Sequence, residues 1–411
     1  MYSIKRILIF LFLPFPLMAQ QEETLPLDTI LRRIENSNPL LKSYQSRAES
    51  YQYKADASTA WMAPMAGGGA YMTPYPGSKS FDKGSLMFSL EQDIPNPAKQ
   101  KAQKRYIESQ AGIVNAAGDI ALNDLKASAK NLYYSWLIAS RKIGILKEND
   151  KILQTIKKIE EVRYPYNQSN LSGIYLAEAK IAENQNQIRM QHGDIAKSRA
   201  RLNSLMDRPG NTDFEIDTAL VPLFNTISID TAYLAEKRKD IFQLEQNIRS
   251  MNLNLEAVKV QRKPDFSIRF DHMSPLSSGM PNAYSIMGMV SIPIAPWSAK
   301  AYKSEAKAMQ FEIQALEQER QAMLQESQGT LNGLQQEIAS AEQRIKTMEE
   351  KIIPSLKKAM DVNFLNYQEN KLGLTAVMDS WEALNAMRLQ LLDEELKLYQ
   401  LIADYEKEIY R

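Results

Sequence analysis

Only two side chains in this 411-residue chain, His192 and His272, could serve as an imidazole base. No Gly-x-Ser-x-Gly, P-loop or His-Glu-x-x-His run accompanies them. His192 lies in a polar, helix-like stretch, where a solvent-facing side chain is expected. Gly67-Gly68-Gly69 opens no helix, so it reads as a flexible strand rather than a phosphate loop. This inventory predicts no enzyme. Cysteine is absent, which excludes disulfides, thiolate metal sites and a lipid-modified N-terminal Cys. The nineteen methionines offer thioethers, donors suited to copper or silver. Met273, Met280, Met287 and Met289 crowd near His272. Methionine is also common filler on apolar surfaces, and that reading leads to the expectation of no resident metal and no cofactor.

Any residue that acts must be held in place by larger elements. Lys+Arg number 50 against Asp+Glu 49, so the chain lacks the basic surplus of a nucleic-acid protein. Lys5-Arg6 precede an apolar run from Ile7 to Met18, and Ala19 follows. A basic start, a short apolar core and a small residue predict a secretory signal over 1–19, cleaved near Ala19–Gln20. A retained anchor is the alternative, although the run is too short to span a bilayer as a helix.

The rest of the chain repeats itself. Leu27-Asp28-Thr29 matches Ile229-Asp230-Thr231, Pro64 matches Pro264, and Ile94-Pro95 matches Ile292-Pro293. Ile138, Ile145 and Ile152 match Ile338, Ile345 and Ile352, and Val162 matches Val362. Asn170 and Gly173 then match Asn370 and Gly373, with all offsets close to 200. A colinear set of this kind implies duplication. Expected boundaries are a first repeat over 20–208, a linker over 209–227 and a second repeat over 228–411.

Each repeat reads as helix, two short strands, very long helix, turn, helix. Leu25–Met62 is helix-like. Lys99–Arg163 contains no proline and predicts a helix of nearly 100 Å. A second long helix is predicted from about Ala299 to Asn363, with Pro354 near its end. Leu324, Leu331, Ile338, Ile345 and Ile352 recur every seventh position, a pattern that holds one seam only where helices coil around each other. An ordinary dimeric coiled coil would share those heptads but not the strands. In DFSIRFDHM (265–273), Phe266, Ile268 and Phe270 alternate with Ser267, Arg269 and Asp271. Leu86, Phe88 and Leu90 alternate with Met87, Ser89 and Glu91, while Ile286, Val290 and Ile292 oppose Ser285 and Ser291. Met65–Thr73 is a Gly-rich fourth candidate. Each segment is long enough to cross a bilayer as a tilted strand. A half-buried soluble sheet gives the same alternation in any one strand, but four beside such helices favour the membrane.

Four strands cannot close a membrane barrel, which needs at least about eight, and an open edge in lipid is costly. Several chains must therefore pool strands, with their helices continuing as a tube. The fold class expected is mainly α with a small β part: a coiled-coil α-helical barrel joined to a transmembrane β-barrel.

Over nearly the whole chain after the signal, the sequence resembles the TolC-like outer membrane efflux proteins, including a heavy-metal branch. The resemblance rests on the duplicated plan together with ARLNSLMDRPG (200–210), EQDIPNPAK (91–99) and VNFLNYQENKLGLTAVMDS (362–380). It implies strands pooled from three chains, a homotrimer in the outer membrane and helices in the periplasm. It further implies an export duct for small molecules or ions that docks onto a periplasmic adaptor and an inner-membrane pump. The far tips of the tube would touch the adaptor, which selects Asn170, Leu171, Ser172, Gly173, Asn370, Lys371, Leu372 and Gly373. The family usually has Gly where Asn170 and Asn370 stand, and Asn tolerates the left-handed backbone of a helix C-cap. Asp379 falls where the family carries a constriction carboxylate, making it the candidate gate. Ala376 departs from the companion carboxylate, so a double acidic ring is not expected. The rival reading is a soluble periplasmic coiled-coil scaffold without channel activity.

Overall fold

The computed structural model describes residues 23–77, 83–226 and 230–410. The expected signal over 1–19 and residues 78–82, between the first two predicted membrane strands, lie outside these residues. The chain opens with β1 (Thr24–Leu25) and α1 (Leu27–Ser37). Asn38 then caps α2 (Pro39–Ala57), its Oδ1 accepting from the Leu40 amide at 3.0 Å. The expected single helix over Leu25–Met62 is thus divided and ends early. Pro39 pushes the preceding residue out of helical backbone, and Asn38 accordingly has ψ 123°.

Two strands, β2 (Met65–Tyr71) and β3 (Ser85–Ile94), lead into α3 (Pro97–Arg163), a helix of 67 residues. Asn96 starts it by accepting from Ala98 N at 3.0 Å, and Pro97 fills the first helical position, which needs no N–H. A 3₁₀ turn (Tyr164–Tyr166) precedes α4 (Leu171–Leu205). The chain crosses back through β4 (Glu215–Ile216), which pairs in parallel with β1. The order then recurs as α5 (Thr231–Lys237), α6 (Lys239–Val260), β5 (Phe266–Pro275), β6 (Ala283–Val290), α7 (Pro296–Thr347), α8 (Ile353–Gln368) and α9 (Leu374–Glu408).

A single π-helical turn, Met348–Ile352, joins α7 to α8. Pro354 lies just beyond it, with no N–H to donate and a ring that crowds the carbonyl four residues back. The expected heptad seam is only partly buried. Leu331 and Ile338 are fully buried, whereas Ile345 and Ile352 are only half-buried and Ala341 and Met348 take the seam.

The main core surrounds the middle of α3. Tyr133, Trp136, Leu137 and Ile138 meet Ile30, Ile34, Leu202, Phe214 and Tyr399 there. Trp136 and Phe214 stack at a tilt, centroids 5.1 Å apart. Burying each such side chain contributes about 1.5–3 kcal/mol, so the short β1–β4 ribbon is held by packing rather than by its own hydrogen bonds. A smaller cluster near the far end joins Leu153 and Ile156 of α3 to Met360, Tyr367, Val377 and Trp381.

β2, β3, β5 and β6 form one antiparallel sheet in that order. The register puts Leu86, Phe88 and Leu90 on one face with Phe266, Ile268, Phe270, Ile286 and Val290, all of them exposed. Ser89, Glu91, Arg269, Asp271 and Ser285 occupy the other face. Among the described residues, β2 and β6 each pair on one side only.

Candidate functional site

The two hairpin tips lie side by side at the end of the helices remote from the sheet. At the first, α3 yields to the 3₁₀ turn, and Asn167 adopts left-handed backbone (φ 57°). Gln168 N donates to Arg163 O at 3.2 Å, and Asn167 N to Tyr164 O at 3.1 Å. At the second, Asn370 is left-handed (φ 58°), Lys371 N donates to Asn366 O at 2.8 Å, and Asn370 N to Tyr367 O at 3.0 Å. Both are helix ends closed through one left-handed Asn, which satisfies carbonyls the helix leaves open.

The expectation for Asn370 therefore holds and that for Asn170 does not. Asn170 has φ −106° and precedes α4 as its N-cap residue, the place Gly373 takes before α9. The equivalent pairs are Asn167 with Asn370, and Asn170 with Gly373. The repeat slips by three residues at the tips because the first turn is made after Tyr164-Pro165-Tyr166. The motif Tyr-x-x-Asn-x-x-(Asn/Gly)-Leu, at 164–171 and 367–374, was the available signal.

Gly173 and Gly373 likewise differ. Gly173 is buried inside α4, where an added Cβ would come within 2.5 Å of Glu160 Oε2 and 2.9 Å of a Leu374 methyl. A Cβ on Gly373 would meet nothing within 4 Å. Of the eight expected tip residues, Asn170, Ser172, Gly173, Asn370, Leu372 and Gly373 line one cleft of about 550 Å³ between the tips. Leu171 and Lys371 are exposed outside it, Lys371 paired with Glu369 at 2.6 Å.

A group that sequence reasoning missed ties the tips together. Tyr367, 1% exposed, donates its phenol proton to the buried carboxylate of Glu160 on α3. Arg163 donates to the carbonyls of Tyr367 (2.7 Å) and Gln368 (3.0 Å), and its guanidinium lies 4.7 Å from the Tyr367 ring centroid. Arg163 thus closes the C-terminus of α8 from outside that helix, where a cation is favoured. Ser169 Oγ donates to Glu160 O at 2.9 Å. Burial, and then the Glu160 carboxylate, hold the Tyr367 phenol above its ordinary range. Glu160 stands in the charged run KKIEEVR (157–163), where nothing in the sequence marks it as buried.

Asp379 stands exposed on α9, directly after the buried Val377 and Met378. Its neighbour Ser380 holds Asn363 of α8 at 2.5 Å. His192 is exposed, as expected. His272 faces the apolar side of the sheet between Phe88 and Tyr284, away from Met273. Met280 lies beyond β5, in the loop before β6.

No family model and no curated protein matches the chain. Solved structures do. CusC, described in connection with transmembrane channel formation, superposes with TM-score 0.76 at 15% identity, over 93% of this chain and 91% of its own. VceC, an outer membrane protein of Vibrio cholerae, gives 0.70 at 14% over 93% and 95%. The CmeC outer membrane channel of Campylobacter jejuni gives 0.71 at 13% over 93% and 85%. With its long paired helices and small antiparallel sheet, this chain has the fold of the TolC-like outer membrane channels.

Proposed function

We propose that the chain is the outer membrane channel of a tripartite efflux system, a passive export duct across the periplasm and outer membrane. The observation that carries this reading is the four-stranded sheet: apolar on its exposed face, polar on the other, and unpaired among the described residues at β2 and β6. Such a sheet is unstable in lipid until its edges are closed. Pairing β6 of one copy with β2 of the next keeps the strands antiparallel around a ring. Three copies give twelve strands, within the range of closed barrels. Exposed Trp61 and Trp297 flank the sheet at its helical end, and Tyr75 lies beyond the other end, as in an interfacial belt. The long helices then continue as a tube into the periplasm.

The tips are the docking and gating end. Their cleft, with Asn170, Ser172, Gly173, Asn370, Leu372 and Gly373, offers an adaptor backbone and small polar groups, while exposed Leu171 adds an apolar contact. Glu160, Arg163 and Tyr367 latch the two hairpins of one chain together, and Asp379 supplies an exposed carboxylate near the same end. Nothing in this arrangement calls for an enzymatic step. The test is expression of the full chain, fractionation of membranes, and reconstitution in planar bilayers. Extraction only by detergent, with stepwise conductance, supports the duct. A freely soluble, non-conducting protein would instead support a periplasmic scaffold.

A further inference from the structure

The register of the sheet sorts its methionines. The four strands carry five: Met65, Met87, Met273, Met287 and Met289. All five stand on the face that holds Ser89, Glu91, Arg269 and Asp271, and none stands on the apolar face. Filler would be distributed the other way, because a flexible apolar side chain gains most where it meets lipid. Met65, Met287 and Met289 remain well exposed instead.

Met87 and Met273 are direct partners across β3 and β5. Their row continues with Gly69 on β2 and Ala283 on β6, so two thioethers lie between two minimal neighbours. Directly opposed residues have Cβ atoms about 4.5–5.5 Å apart, close enough for both sulfurs to turn onto one ion. Asp271, in the next row, already accepts from Arg269 Nε (2.9 Å) and Ser285 Oγ (3.3 Å). That hard ligand is engaged, and the thioethers are the donors left in the Met87 row. Met287 and Met289 lie on one edge strand and Met65 on the other. Closing the barrel brings those edges together and extends the thioether band across each seam.

We infer that the polar wall of this sheet binds soft monovalent cations, Cu(I) or Ag(I), through its methionines, with Met87 and Met273 forming the site within one chain. Thioethers select such ions over hard ones, and two neutral sulfurs hold an ion weakly enough to release it along a conduction path. This revises the expectation of filler methionines. It rests on the proposed duct for the wall being luminal, but not for the pairing of the two sulfurs.

The experiment is equilibrium dialysis of the detergent-solubilised full chain against silver nitrate in chloride-free buffer, with bound silver quantified. M87L/M273L keeps side-chain volume and removes the sulfurs, and M62L/M280L removes two methionines outside the strands. The expected result is silver binding weakened about tenfold or more in M87L/M273L and unchanged in M62L/M280L. Equal binding by M87L/M273L and the unaltered chain, or an equal loss in M62L/M280L, would overturn the site. Planar-bilayer conductance of the same preparations separates the two readings. Conductance without the selective silver loss defeats the cation site alone, whereas selective silver loss without conductance supports the site and defeats the duct.

Discussion

The hydroxyl of Tyr367 is a small group with a large task, since it joins two hairpins that are about 200 residues apart in sequence. Tyr367→Phe leaves the buried Glu160 carboxylate without that donor, at about 1–3 kcal/mol. The expected outcome is a higher open probability in planar bilayers. Glu160→Gln, which keeps an acceptor, should have a smaller effect. The sign with pH follows from the raised phenol. The native state keeps its proton where the unfolded chain loses it, so the latch's contribution is complete below about pH 10 and falls as pH rises further. Conductance should therefore show no Tyr367-dependent change between about pH 6 and 9, and an alkaline rise that Tyr367→Phe abolishes. Gly173→Ala drives a methyl into Glu160 and Leu374 and should cost about 1–3 kcal/mol in thermal melts, the cost of overpacking. Gly373→Ala, with open space around it, should change the melting midpoint little. In the proposed duct, where like charges from three copies would repel at the gate, Asp379→Ala should raise single-channel conductance; an unchanged value would remove Asp379 from the gate. At this scale the sequence was only partly legible. The left-handed Asn370 followed from its type and place. The latch did not, because a buried Glu–Tyr pair leaves no periodic trace. Asn167 was hidden by a three-residue slip that a constant offset cannot detect.

At the scale of elements, alternation and the avoidance of proline carried most of the information. The stretch without proline after Lys99 became one helix of 67 residues, since each of its residues could keep the helical bond. The strands over 65–73 and 265–273 fell within two residues of their expected ends, because alternation marks a strand even where His272 and Ser274 interrupt the apolar face. Two features escaped. The single Asn38-Pro39 step divides the first helix, and a π turn interrupts the second long helix before Pro354. Both are local backbone events, invisible to a pattern averaged over heptads. The sheet gives a sharp prediction. Phe88→Arg puts a charge on the exposed apolar face and should cost about 2–4 kcal/mol near the bilayer centre, reducing assembled protein in outer-membrane fractions. Ser89→Arg, one residue along on the opposite face, should assemble normally and alter ion selectivity. Equal loss from both would mean that the two faces do not see different solvents.

For the whole molecule, one chain is an incomplete object. Among the described residues it has a sheet with two open edges, helices of about 100 Å that are wet over much of their surface, and a core centred on the α3 midsection with a few satellites. The proposed duct completes it: three copies would surround a lumen, and the duplication would supply six similar tips. Native mass spectrometry of the protein extracted by detergent from outer membranes tests this most directly. The expected result is a closed complex of three chains that persists only with detergent or lipid. A stable, detergent-free single chain would contradict it.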